Sequence, residues 1–149
     1  MEPCVEPGCA GAGRPDKSGI TRSDISTVVA AFYAEVRKDA LLGPIFHRHI
    51  GQTDADWAPH IRKIEAFWAN IMLKARDYQG NPMQVHLGVP EIGPGHFVRW
   101  LDVFEATVSE VLPAGKAQAF DTIARRIGRS LQMGLENARS AGPPLLKVR

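Results

Sequence analysis

His86 is one of five histidines in the chain. It lies in the run Asn81-Pro82-Met83-Gln84-Val85-His86-Leu87, between two long stretches of helical periodicity. A neutral imidazole offers one lone-pair nitrogen, the commonest side-chain ligand for a metal. A lone histidine proves nothing, so its surroundings carry the argument. Three other segments supply them: the Phe32-Tyr33 pair, the series Trp57, His60, Ile64, Phe67 and Trp68, and Trp100 further on. Together these side chains can wall a flat apolar pocket. One basic nitrogen would stand on one side, with hydroxyl, imidazole and indole donors on the other. Such a pocket suits a haem iron.

Helices must position these groups. Thr21-Arg22-Ser23-Asp24 has capping-box spacing, and Ile25, Val28, Val29, Phe32 and Val36 follow at helical intervals, which predicts a helix over Ser23 to Lys38. Leu41-Leu42-Gly43-Pro44-Ile45-Phe46 ends it and starts a short helical turn, with Pro44 suited to a first helical position. The stripe Trp57, His60 or Ile61, Ile64, Phe67-Trp68 and Ile71-Met72 predicts a second long helix. Because Pro59 breaks helix interiors, a late start is expected, with Asp56 as cap and Pro59 in the first turn. A segment of five or six residues fits between Gly80-Asn81-Pro82 and the breakers Gly88 and Pro90, with His86 near its end. Pro94 or Gly95 opens a third long helix along Phe97, Trp100-Leu101, Phe104 and Val108. After Pro113 a fourth runs along Phe120, Ile123, Ile127, Leu131 and Leu135 until Gly142-Pro143-Pro144. No strand or hairpin pattern competes, so the fold class is all-α.

At 149 residues the chain fits one domain that buries roughly two-thirds of its unfolded surface, enough to enclose a cofactor. The net charge of +2 is too small to imply nucleic acid. Arg37-Lys38, Arg62-Lys63 and Arg125-Arg126 sit among acids and read as solvated faces. The longest apolar run, Val28 to Ala34, is far short of the roughly 18 to 20 residues of a bilayer span, so no membrane role is expected. The start of the chain lacks the pattern of a secretory signal, and a cytoplasmic location is expected by default. Residues 1–20 and 142–149, rich in Gly and Pro, are expected to be flexible tails around a domain over 21–141. Cys4 and Cys9 are expected to be free thiols, because their surroundings supply no further metal ligands. His47, His49 and His96 read as surface or capping residues. A cluster of His47, His49 and His60 would need the first two to point the same way from one helical turn, which their spacing opposes.

Taken in order and spacing, Phe32 to Asp39, Leu42 to Phe46, His60 with Phe67-Trp68, Pro82 to His86, and Phe97 to Leu101 resemble the truncated haemoglobin family. The resemblance runs from about Asp24 to Leu135. A distal histidine and the absence of any Gly-Gly dipeptide favour the group III branch. The resemblance implies a two-over-two helical sandwich around haem b, iron protoporphyrin IX. Pro59, immediately before His60, departs from the family pattern and puts the tilt of that helix in question.

By the same resemblance His86 is the proximal iron ligand. Its other ring nitrogen should donate to a backbone carbonyl or water. Tyr33 corresponds to a distal tyrosine that donates to the bound gas, a charge-assisted bond of roughly 1.5 to 3 kcal/mol. His60 corresponds to a distal histidine acting as donor or gate, and Trp100 to a distal indole donor. Ile64 and Trp68 would wall the ligand cavity, with core packing an equal reading for Trp68. Phe32, Phe46, Phe67 and Met83 would contact the cofactor, and Lys63 a propionate.

The expected activity is binding of oxygen, nitric oxide and carbon monoxide as carrier, sensor or enzyme. Donors that retain oxygen suit redox chemistry, such as nitric oxide dioxygenation or a peroxidase-like reaction, with electrons from a separate reductase. The rival reading is a cofactor-free helical interaction protein whose aromatic stripes serve as core or partner groove.

Overall fold

The computed structural model describes residue 17 and residues 19–140. Cys4, Cys9 and most of the two expected tails lie outside the described residues. Among those described, six α-helices and no strand occur: α1 (Arg22–Lys38), α2 (Gly43–His49), α3 (Asp54–Leu73), α4 (Pro82–Leu87), α5 (Pro94–Val111) and α6 (Ala114–Ser140).

The first helix begins on the capping box that its sequence predicts. The Asp24 backbone N–H donates to Thr21 Oγ1 at 3.1 Å, and the Thr21 N–H donates back to Asp24 Oδ2 at 3.0 Å. Lys116 Nζ donates to the same Asp24 oxygen at 2.9 Å, tying α1 to the start of α6. Ordered contacts begin ahead of Thr21: Ile20 is buried, and Lys17 Nζ donates to the Ile71 carbonyl at 3.0 Å.

The corner after α1 is built around Asp39. Its Oδ2 accepts from the Leu41 and Leu42 N–H groups at 3.0 and 2.9 Å, and its Oδ1 accepts from Arg99 Nε of α5 at 2.6 Å. Burial works to raise the Asp39 pKa, but the Arg99 and backbone hydrogen bonds outweigh it and hold the carboxyl below its ordinary value.

The expected late start of the second long helix is wrong. Helix α3 starts at Asp54, because Thr53 and Asp56 form a capping box of their own, with Asp56 N–H to Thr53 Oγ1 at 3.0 Å and Thr53 N–H to Asp56 Oδ2 at 3.2 Å. Pro59 therefore lies inside the helix. It is tolerated because the carbonyl it cannot serve, four residues back on Ala55, belongs to an exposed residue that water can reach.

The helices form the two-over-two sandwich that the resemblance implies. Helix α5 packs along α6, and α1 lies against both α5 and α3. Aromatic rings fill the centre: Phe104 takes the Phe32 edge at 5.1 Å and stacks on Trp68 at 5.5 Å, while Trp68 meets Phe120 at 5.4 Å. Two helices reach α5 through side chains alone. Among the described residues the α3 backbone comes close only to α1 and the α4 backbone only to α6, while Trp68 and His86 carry their rings to α5, and the backbones of α3 and α4 do not approach each other.

Candidate functional site

One wall of the site grows from the C-terminal half of α1. Phe32 and Tyr33 are adjacent and both buried, because the apolar face of α1 is wide enough to take two neighbouring positions into the core. Around the Tyr33 ring lie Phe46 of α2 at 5.9 Å, and Trp57 and His60 of α3 at 5.8 and 5.4 Å. Trp100 of α5 meets the Phe32 ring edge-on at 5.6 Å. Burial pushes the Tyr33 hydroxyl pKa up, and the nearby Trp100 side chain offsets only part of the rise. The hydroxyl therefore keeps its proton and remains a donor.

His60 completes this wall despite Pro59 beside it. Its ring packs edge-on against Trp57 at 5.4 Å, and its Nε2 is buried without a hydrogen-bond partner. Burial, followed by the nearby Lys63 charge, lowers its pKa to about 4, so the imidazole is neutral at ordinary pH. A buried nitrogen with no partner inside the protein is costly unless something else engages it, as a bound polar ligand would.

The opposite wall is α4. Asn81 caps it, accepting from the Gln84 N–H at 3.2 Å, and Pro82 opens its first turn. His86 falls in the last turn, where its Nδ1 reaches the Pro82 carbonyl at 2.7 Å. A carbonyl oxygen only accepts, so Nδ1 carries the hydrogen and the neutral ring keeps its lone pair on Nε2. That nitrogen is the one left to ligate a metal. Phe97 of α5 stacks on the His86 ring at 6.2 Å.

The remaining expected site residues fall in different places. Ile64, Phe67 and Trp100 are half-buried apolar groups at the edge of the core, together with Ile61, Leu101 and Ile127, as the lining of a cofactor cleft would be. Trp68 is buried between Phe104 and Phe120, so core packing accounts for it. Phe67 packs edge-on against Tyr78 at 5.4 Å. Lys63 is exposed and makes no ion pair among the described residues. Met83 is seated on α6 at Gly134, where a Cβ would collide with its Cε. His49 pairs with Glu91, and His96 Nδ1 accepts from the Gly93 N–H at 3.0 Å to cap α5. No group of His, Cys, Asp and Glu side chains among the described residues could hold a metal by itself, which disposes of a His47, His49 and His60 cluster.

Three residues matter more than their sequence positions suggest. Trp57 forms the floor under Tyr33 and His60, stacks with Phe46 at 5.9 Å, and donates its indole N–H to the Gly51 carbonyl at 2.9 Å. Arg37 lies over the Trp57 ring at 5.0 Å. Asn70 organises the loop before α4: its Oδ1 accepts from the Asp77 and Tyr78 N–H groups at 2.9 and 3.2 Å, and its Nδ2 donates to the Tyr78 carbonyl at 3.1 Å. Glu91 anchors the loop after α4. The helical period of Trp57 signals its burial, but nothing local signals the loop contacts of Asn70 and Glu91.

Two open clefts of about 340 and 450 Å³ run along the outer seam of α1 and α3, the larger with Tyr33 and Trp57 in its lining. His86 belongs to neither. Tyr33, His60 and, through Phe32, Trp100 form one group of rings, and His86 stands on α4, whose backbone does not come near that of α3. A lone-pair imidazole, a protonated buried hydroxyl, an orphan imidazole nitrogen and a rim of half-buried apolar side chains fit a flat, metal-centred macrocycle.

No protein-family model matches the chain. The chain is 40% identical over 92 residues to the group 3 truncated hemoglobin ctb of Campylobacter jejuni, an alignment that covers 62% of this chain and 72% of that protein. It is also similar to the crystal structure of the group III truncated hemoglobin from Campylobacter jejuni, with a TM-score of 0.76, 35% identity, and coverage of 79% of this chain and 93% of that one.

Proposed function

Because the chain belongs to the truncated haemoglobins, in their group III branch, we propose that it holds haem b between α3 and α4 through His86 and binds diatomic gases there. The haem, when bound, supplies an iron that takes up oxygen, nitric oxide or carbon monoxide and exchanges single electrons. The observation that carries this reading is the His86 ring. Its Nδ1 is engaged by the Pro82 carbonyl, which leaves Nε2 as the ligating nitrogen.

The chain's own groups would then set what happens to the gas. Tyr33, held protonated by burial, and Trp100, whose indole only donates, offer hydrogen bonds to a ligand that gathers negative charge. His60 is uncharged above about pH 4, so one ring nitrogen carries a hydrogen and the other a lone pair, and the tautomer sets whether its partnerless Nε2 donates or accepts. Donors in a dry aromatic wall hold such a ligand tightly. Tight retention suits redox turnover, nitric oxide dioxygenation or a peroxidase-like reaction, more than delivery, and the electrons would come from a separate reductase.

Absorption spectra of the purified protein in ferric, ferrous and gas-loaded forms test this reading. A Soret band is expected, and a protein that stays colourless with haem supplied would leave the cofactor-free helical reading standing. His86→Ala is expected to lose the haem, whereas haem retention at wild-type affinity would move the ligand elsewhere. Nitric oxide consumption with a supplied reductant separates turnover from simple binding.

A further inference from the structure

Helix α4 has no buried residue, so apolar burial does little to fix where His86 stands. Its position depends on one face and two ends. The face is Met83 against Gly134, with Phe97 stacked on the His86 ring. The upstream end is organised by Asn70.

The downstream loop, residues 88–93, is gripped from two sides. Arg139 of α6 donates to the Ile92 carbonyl at 2.6 Å and to the Val89 carbonyl at 3.4 Å. From the other direction, two consecutive residues of α2 reach Glu91. His49 Nε2 lies 3.2 Å from Glu91 Oε2, and Arg48 Nη1 donates to the same oxygen. Helix α2 also carries Phe46, which packs on Tyr33 and His60 in the opposite wall. The Glu91 contacts therefore join the wall of donors to the loop that directly follows the His86 helix, along a path separate from the core.

We propose that Glu91, held by Arg48 and His49 of α2, is a positioning residue that sets the stance of the His86 helix against the distal wall, and with it the firmness of the His86 bond to iron. The inference rests on the haem reading above. Its carboxylate is only 28% exposed, against 57% for Arg48 and 37% for His49, so the acid is the anchored partner and the two basic groups close over it. An exposed ion pair adds little to global stability. Its effect should be local to α4, whose packed face is limited to Met83 on Gly134 and the His86 ring on Phe97.

The test uses the haem-loaded full chain and compares Glu91→Gln with Glu105→Gln, which breaks the Arg125 pair between α5 and α6. Glu91→Gln is expected to lose haem to an apomyoglobin scavenger about fivefold faster than wild type. The ferrous iron–imidazole stretching frequency should shift. The Gly88 and Val89 amides, bonded to carbonyls of α4, should exchange faster. The urea midpoint should move no more than in Glu105→Gln, and Glu91→Asp should restore part of the slow haem loss. Haem loss no faster than in Glu105→Gln, with an unshifted stretching frequency, would overturn the proposal. If wild type has a Soret band that depends on His86, that failure is confined to Glu91. If wild type takes up no haem, both readings fall.

Discussion

The wall proposed as distal is built on Phe32, Tyr33 and Trp57, each almost inaccessible to solvent, whereas no residue of α4, proposed as the proximal wall, is fully buried. The first wall is part of the hydrophobic core, and its donors are placed by close packing of rings from α1, α2, α3 and α5. Helix α4 is short, seated on α6 through Met83 and flanked by loops held by polar contacts. The contrast shows a division of labour. Packing places groups closely because the core tolerates few alternatives, while α4 takes much of its position from the polar contacts of the loops on either side.

Breaking the distal wall should therefore cost stability first. Trp57→Ala removes the floor beneath Tyr33 and His60 and leaves the Gly51 carbonyl without its donor. A loss of about 3 to 5 kcal/mol is expected in urea unfolding. Tyr33→Phe keeps the ring and deletes only the donor, so stability should change little while oxygen dissociation in stopped flow rises about tenfold or more. An unchanged rate would remove Tyr33 from the ligand's hydrogen bonds. On the proximal side Asn70→Ala breaks three hydrogen bonds of the loop before α4. It should cost about 1 kcal/mol in urea, since the loop groups can turn to water, with haem loss accelerated as well.

A pH dependence of stability also belongs to the wall that holds His60. The His60 pKa lies near 4 in the folded protein against an ordinary 6.5, so the unfolded chain takes up a proton that the buried ring refuses. Its contribution to stability is complete above pH 6.5 and is lost as the pH falls from there to about 4. The Asp39 carboxylate, held below its ordinary 3.8, stays charged through that window. The urea midpoint should fall between pH 7.5 and pH 5, and the fall should shrink in His60→Leu. An equal fall in both proteins would place the titration elsewhere.

Much of this architecture was legible before any coordinates. The Thr21 to Asp24 box, the period of Ile25, Val28, Phe32 and Val36, and the Asn81-Pro82 start of the short helix are local signals, and each helix appears where its signal lies. Pro59 misled because its usual meaning is also local. It predicts a late start with Asp56 as the cap, but the Thr53 and Asp56 capping box starts the helix at Asp54 and the exposure of Ala55 lets it run through Pro59. Trp68 shows the same limit from the other side: spacing puts it on the stripe with His60 and Ile64, yet only the stacking of Phe104 and Phe120 places it in the core.

By itself the sequence determined the helices, the apolar face of each, and the short segment that carries His86, because caps, breakers and periodicity act over a few residues. Only the tertiary structure decided which rings surround Tyr33, which nitrogen of His86 is free, and that Asn70 and Glu91 hold the loops on either side of it. Those contacts join residues remote in the chain, and no local pattern encodes which distant partner a polar side chain will meet.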